Sequence, residues 1–144
     1  MVELVIVLIV MATIAGLALP AYGGAVARYR LESAVYHLQN DSYWALAHAR
    51  AAGVSINVRF DPAIHSVTFS NLPHRTIAND NHVLDLRAHP MEAVINTADF
   101  DGRLQYNISG FGLPDSGGTV VLRNGSGSRT LHYNATTGMV SVSP

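Results

Sequence analysis

Val2-Glu3-Leu4-Val5-Ile6-Val7-Leu8-Ile9-Val10, running on to Ala18-Leu19-Pro20-Ala21-Tyr22, decides the architecture of this chain of 144 residues. Residues 1–27 hold 21 hydrophobic side chains and one charge, Glu3. Val5 through Val10 are apolar at every position, so a helix here has no polar face and must be buried in lipid or in a bundle. The 24 residues from Leu4 to Ala27 would reach about 36 Å as a helix, enough for a hydrocarbon core of about 30 Å.

Three readings fit this segment. A cleavable secretory signal opens with positive charge ahead of its apolar stretch, whereas this chain opens Met1-Val2-Glu3. A buried core helix is seldom so long. A membrane anchor fits the length and is the reading that the physical chemistry favours. Arg28 and Arg30 follow the segment, and the positive-inside tendency assigns that end to the cytoplasm unless basic residues precede Met1.

The rest of the composition excludes several classes. Charged residues make up 13% of the chain, against about 25% in soluble domains, so this is no disordered polyelectrolyte. The net charge is −1, and all nine basic residues are arginine. No global field is available to hold nucleic acid or an anionic surface. Cysteine is absent, which removes disulfide frameworks, thiol catalysis and cysteine-ligated zinc.

Pro20 lies inside the apolar helix, with Gly16, Gly23 and Gly24 around it. A proline there removes one backbone hydrogen bond and is expected to kink the helix rather than end it. Beyond it, Leu31, Val35, Leu38, Ser42, Ala45, Ala49 and Ala52 recur at alternating steps of four and three. This is the seam of an amphipathic helix, with Arg30, Glu32, Gln39 and Asp41 on its other faces and Gly53 as C-cap.

The remainder reads as β-rich. Ser55 to Phe60 alternates at period two, and Ile64 to Phe69 does so again after an Asp61-Pro62 turn. Residues 71–102, punctuated by Asn71-Leu72-Pro73-His74, Asn79-Asp80-Asn81 and His89-Pro90, yield only the short run Val83 to Leu86. Leu104 to Ser109, Thr119 to Arg123, Arg129 to Tyr133 and Met139 to Val142 complete the strand-like pieces. Asn124-Gly125-Ser126-Gly127 is a hairpin signal, and Asn134 to Gly138 closes another turn. These elements predict an α+β fold, one long N-terminal helix laid on antiparallel β-sheet.

Motifs of catalysis are scarce. His37 and His48 share a helix face but lie about three turns apart, too far to share a metal. His82 and His89 fall in loop-like sequence without ligand spacing. No Gly-x-Ser-x-Gly elbow or phosphate loop occurs. Asp99-Phe100-Asp101-Gly102 lacks the further ligands of a calcium loop and is expected to be a turn. The sequence therefore predicts no enzyme, metal or cofactor. Tyr29, Tyr36 and Tyr43, at seven-residue spacing beside Trp44, are expected to pack in the core or against another subunit.

The N-terminal run, with Glu3 just inside the apolar helix and Pro20 near its far end, resembles the signature of type IV pilins and type II secretion pseudopilins. A looser likeness, over Leu38 to Phe60 and over Gly118 to Leu122, Arg129 to Leu131 and Thr137 to Val142, is to the H-type minor pseudopilins and related minor pilins. The resemblance implies a pilin-like division of the chain. Residues 1–27 would form a transmembrane and filament-core helix. Residues 28–144 would form a globular domain, with helix over 28–53 and β-structure over 54–144. It also implies a structural, minor subunit of a secretion pseudopilus or pilus, held in the bacterial inner membrane with its globular domain outside the cytoplasm. Its partners would be other pilin subunits, membrane lipid, the assembly machinery and a prepilin peptidase. The family's basic leader ending in glycine, and the N-methylated phenylalanine after it, have no counterpart in Met1-Val2, so no cleavage residue is assigned.

Glu3 is the assembly residue in this reading. A carboxylate costs about 2.5–3.5 kcal/mol at the centre of a membrane helix and less near the interface. Pairing with the N-terminal ammonium of a neighbouring subunit would relieve that cost and set the register of stacked helices. The rival function is capture of DNA or an exported substrate, with Arg123 and Arg129, which flank one hairpin, as contact residues.

Overall fold

The computed structural model describes residues 2–74, 81–125 and 127–144, and the side chains of residues 15–21 lie outside the described set. Helix α1 spans Val2–Ala52 without a break, 51 residues, or about 76 Å at about 1.5 Å per residue. The backbone stays helical through position 20; the side chain of Pro20, the expected kink, is outside the described residues. The helix ends where Gly53 takes φ 65°, the left-handed conformation that closes a helix without a Cβ clash.

Two four-stranded antiparallel sheets follow. Sheet A has the order β3-β2-β1-β5, from β1 (Ile56–Asp61), β2 (Ser66–Pro73), β3 (Asn81–Asp85) and β5 (Gln105–Ile108). Sheet B has the order β4-β6-β7-β8, from β4 (Val94–Asp99), β6 (Gly118–Asn124), β7 (Gly127–Tyr133) and β8 (Val140–Ser143). Each places one face inward. Ile56, Val58 and Phe60 alternate on β1, Val120 and Leu122 on β6, and Leu131 and Tyr133 on β7, all buried. Against them lie Leu31, Ala34, Val35, Leu38, Ala45, Leu46 and Ala49 of α1. The second half of the helix is thus the lid of one core.

The sheets meet over a group of aromatic rings. Phe100, between β4 and β5, has its ring centroid 4.7 Å from Tyr106, 5.2 Å from Phe60 and 5.2 Å from Tyr133. The Tyr133 hydroxyl lies 3.5 Å from Ser42 Oγ, which in turn donates to Leu38 O at 2.8 Å. Burial pushes the phenols of both Tyr106 and Tyr133 above their ordinary value, so the fold holds them neutral.

Local expectations hold at most turns. Asn124 pairs with Gly127 across a tight hairpin, with Gly125 at φ 57°. The Asp99 carboxylate accepts the Gly102 N–H at 2.7 Å, which makes that acidic stretch a turn. The Asn134 side chain accepts the N–H groups of Thr136 and Thr137 at 2.9 and 3.0 Å.

Three expectations are corrected. Strand β4 has no counterpart in the sequence pattern, because its register shifts between Ile95 and Thr97 and only Ile95 is fully buried. Ala52 is exposed although it continues the seam, since the helix ends there and the sheets do not reach it. Asp41, assigned to an outer face, is buried. Among the described residues no helix is long and apolar enough to cross a membrane.

The aromatic junction gives a direct test of this packing. Phe100→Ala should destabilise the protein by about 3–5 kcal/mol, the cost of emptying a fully buried phenyl site. Chemical denaturation of the variant beside the unsubstituted chain measures it; a loss under about 1 kcal/mol would mean that the sheets do not depend on this contact.

Candidate functional site

The first feature is the free half of α1. Every described side chain from Val2 to Ile14 is exposed, so this apolar length has no partner within the chain. Glu3 sits in the first helical turn, also exposed. A carboxylate there is favoured by the positive end of the helix dipole, by about 0.3–1 kcal/mol at an exposed site. Nothing else in the described chain approaches it. The second half of the same helix is covered by both sheets, so one continuous rod presents a bare apolar end and a clothed one.

The hairpin arginines do not act together. Leu122 stands opposite Arg129, and Arg123 opposite Ser128, so the two guanidinium groups project from opposite faces of the β6–β7 ribbon. Arg129 turns toward the helix and binds Glu32 through Nε at 2.9 Å and Nη2 at 2.8 Å. Arg123 curls back, Nε donating to Gly125 O at 3.0 Å. Arg30, from the helix, pairs with Glu92 just before β4. Half-exposed pairs of this kind contribute about 0.2–1 kcal/mol each, enough to orient the helix on the hairpin but not to define it.

Sequence reasoning missed one polar contact. His82, in β3 rather than in a loop, places Nε2 2.7 Å from Asp41 Oδ2, with the two side chains 10% and 6% exposed. The Trp44 ring meets His82 edge-on at 5.2 Å, and Phe69 and His74 lie 5.5 and 5.6 Å away. The pair ties the outermost strand of sheet A to the helix. No signal in the chain announces it, because the partners are 41 positions apart and an acid on a helix is ordinarily solvated.

The tyrosine row splits. Tyr29 and Tyr36 are 68% and 69% exposed, which removes them from the core. Tyr43 fastens β8: its hydroxyl donates to Val140 O at 3.2 Å and accepts the Val140 N–H at 3.3 Å. Gln39 adds a third bond to Val140 O at 3.1 Å. The start of the β8 edge is thereby occupied by the helix.

The open edge of β5 is closed as well. Asn107 N–H donates to Asp115 Oδ1 at 2.9 Å, and Asp115 N–H returns a bond to Asn107 O at 2.8 Å. Burial opposes the charge on Asp115. The hydrogen bonds from the Asn107 backbone and amide, then from Ser116, together with the Arg103 charge, outweigh it and hold the carboxyl below its ordinary value. Open clefts of about 350 Å³ lie beside Tyr36, His37 and Asn40 and of about 270 Å³ over Arg59, Asp61 and Thr68. Among the described residues, no three histidine, aspartate or glutamate side chains come together to hold a metal ion.

A long helix packed on antiparallel sheet is an arrangement found among solved structures. The chain is similar to the type IV minor pilin FimU of Pseudomonas aeruginosa (strain PAO1), at 18% identity and a TM-score of 0.58, over 81% of this chain and 90% of that one. A second crystal form of FimU gives 15% identity and a TM-score of 0.56, over 79% and 93%. This chain has a pilin-like fold. No protein-family model and no curated protein matches it.

Within the pilin fold, the Asp115 clasp has a calculable dependence on pH. Its carboxyl is depressed in the folded state, so its stabilisation is complete above the ordinary carboxylate value and is lost as pH falls through the folded one. Asp115→Asn should therefore lower Tm at neutral pH, with the gap to the unsubstituted chain closing by about pH 2. A gap that persists in acid would assign the effect to shape rather than charge.

Proposed function

We propose that this protein is a non-enzymatic structural subunit of a type IV pilus or type II secretion pseudopilus, of the minor kind and closest in character to the H-type pseudopilins and related minor pilins. The observation that carries the reading is the division of α1. Its described side chains from Val2 to Ile14 are bare, and apolar but for Glu3 and Thr13, while its C-terminal half is the lid of the core, and an apolar length of this size must find lipid or other helices. Residues 1–27 hold the subunit in the inner membrane, with the globular part outside the cytoplasm, until it passes into a filament of neighbouring helices. Other pilin-fold subunits, membrane lipid, the assembly machinery and a prepilin peptidase are the partners that this life requires.

In this reading Glu3 guides incorporation. Its carboxylate enters an apolar surrounding at a cost that a neighbour's N-terminal ammonium removes, and the pairing sets the axial register. Pro20 loosens the helix where it must bend between membrane and filament. Capture of DNA through Arg123 and Arg129 is the less favoured function, since it calls for a shared basic face and these side chains project to opposite sides.

Glu3→Ala should reduce recovery of the subunit in sheared filaments by at least about tenfold while leaving it in the membrane fraction. Undiminished incorporation would refute the register role. A gel shift of the full chain with duplex DNA at two salt concentrations should show no salt-sensitive complex; a complex that weakens steeply with salt would restore the DNA reading.

A further inference from the structure

His65 stands where the polypeptide turns from β1 into β2, and it holds φ 54°. A residue with a Cβ seldom adopts that left-handed conformation, and here a firmly built turn keeps it there. The Asp61 carboxylate accepts the Ala63 N–H at 3.0 Å at the start of the turn. The His65 carbonyl accepts the Leu86 N–H at 3.1 Å, extending the β2–β3 ladder past its last pair, Ser66 with Asp85. Leu86 O in turn accepts the Ala93 N–H at 2.8 Å, which closes the loop between β3 and β4. The imidazole makes the remaining connection: the Ile95 N–H of β4 donates to His65 Nδ1 at 3.2 Å. β4 is an outer strand of sheet B, so one residue of a sheet A turn covers a backbone donor of sheet B.

The direction of that bond fixes the state of the ring. A backbone N–H can only donate, so Nδ1 offers its lone pair and the ring proton sits on Nε2. Protonating Nδ1 sets a donor against a donor, and the bond is lost. Ile95 is 3% exposed, and a buried donor left unpaired is costly. Histidine is the side chain whose ordinary change of charge falls between about pH 5 and about pH 8. The elements around the ring carry few groups that could answer its charge. β1 contributes Arg59 and Asp61, and Asp61 is turned onto the Ala63 N–H. β2 has none, and Asp85 at the end of β3 accepts the Arg87 N–H at 2.9 Å. The loop after β3 adds Arg87, His89 and Glu92, the last paired with Arg30. On β4 the one such group, Asp99, accepts the Gly102 N–H at the far end, and Arg123, opposite Val94 on β6, donates to Gly125 O. Among the described residues none of these bonds to the His65 ring, so no carboxylate partner is in place to hold an imidazolium there.

We propose that His65 is a proton-released latch between the two sheets: its neutral ring caps the outer edge of β4 at Ile95, and its protonated ring lets go. Acidification then frees the Ile95 N–H, while the His65 carbonyl, which does not titrate, keeps its bond from Leu86. Sheets A and B share no hydrogen-bonded strand, so a tie of this kind bears on how firmly one is held against the other. The latch is independent of the filament-subunit reading, because it needs neither a filament nor a second copy.

Amide hydrogen exchange of the full chain in detergent micelles, followed residue by residue by NMR, tests the latch. Protection is taken against the intrinsic rate at each pH, which removes the slowing of exchange by acid itself. Between about pH 7.5 and about pH 5, protection at Ile95 should fall about tenfold, while that at Val120 and Leu131 inside sheet B stays constant. His65→Asn introduces a residue that tolerates the left-handed conformation and does not titrate in this range, so it should abolish the pH dependence at Ile95. His132→Asn should preserve it, since that ring bonds Ser143 on an exposed face. Thermal melting at neutral pH reports whether His65→Asn is folded. If it is not, the ring-nitrogen NMR shifts of the unsubstituted chain decide instead. A proton on Nε2 at neutral pH, with the ring titrating in step with the loss of Ile95 protection, supports the latch, and a proton on Nδ1 at neutral pH overturns it. Protection at Ile95 that ignores pH, a fall that survives in His65→Asn, or an equal fall at Val120 and Leu131 overturns it as well.

Discussion

Sheets A and B share no hydrogen-bonded strand, so the protein depends on what lies between them: the rings of Phe60, Phe100, Tyr106 and Tyr133 under the lid of α1. Phe60 and Tyr106 come from sheet A and Tyr133 from sheet B, while Phe100 sits on the connection that passes from one to the other. Stacked and edge-on ring contacts of this kind add about 0.5–1.5 kcal/mol each beyond the area they bury. The Tyr133 hydroxyl beside Ser42 brings the helix into the same junction. Gly118 shows how close the packing is, since a Cβ there would fall 2.3 Å from Asp99 O and 2.4 Å from the Phe100 ring.

With the core held at that junction, the rest of the surface is arranged to leave one apolar element uncovered. A sheet edge is a template for indiscriminate pairing. Here the outer edge of β5 is taken by Asp115, and the start of β8 by Tyr43 and Gln39. Asp41 and His82 tie down β3 from the helix side. What remains apolar and open is the bare half of α1, together with the exposed ring of Phe111. The covered stretches of edge lie on β5 and β8, whereas the apolar side chains of the first turns of α1 stay bare.

Much of this was readable in the residues. The apolar run from Val2, the four-and-three seam from Leu31 to Ala49 and the alternation of β1, β6 and β7 are local periodicities, and each matches the observed element within a few positions. The Asn124 to Gly127 hairpin and the Asn134 turn follow from side chains that satisfy their own backbone. Strand β4 escaped because Asn96, Thr97 and Asp99 break the alternation at a bulge. The helix seam likewise hid Asp41: spacing assigns a side chain to a face but does not say which distant group will meet it there. Exposure of Tyr29 and Tyr36 was equally hidden, because an aromatic stripe suits a core and a partner alike.

The sequence by itself determined the length and two-part character of the helix, the place of the one charge in its apolar half at Glu3, the antiparallel strands and the absence of cysteine chemistry. These follow from composition and short-range period, which need no knowledge of what touches what. Only the tertiary structure decided that the strands divide into two sheets and that the hairpin arginines face opposite ways. It alone showed that His82 reaches back to Asp41, and that the His65 ring takes the Ile95 N–H. Each of those depends on groups tens of residues apart meeting in space, and contact of that range is set by how the layers close over one core rather than by any pattern within a single element.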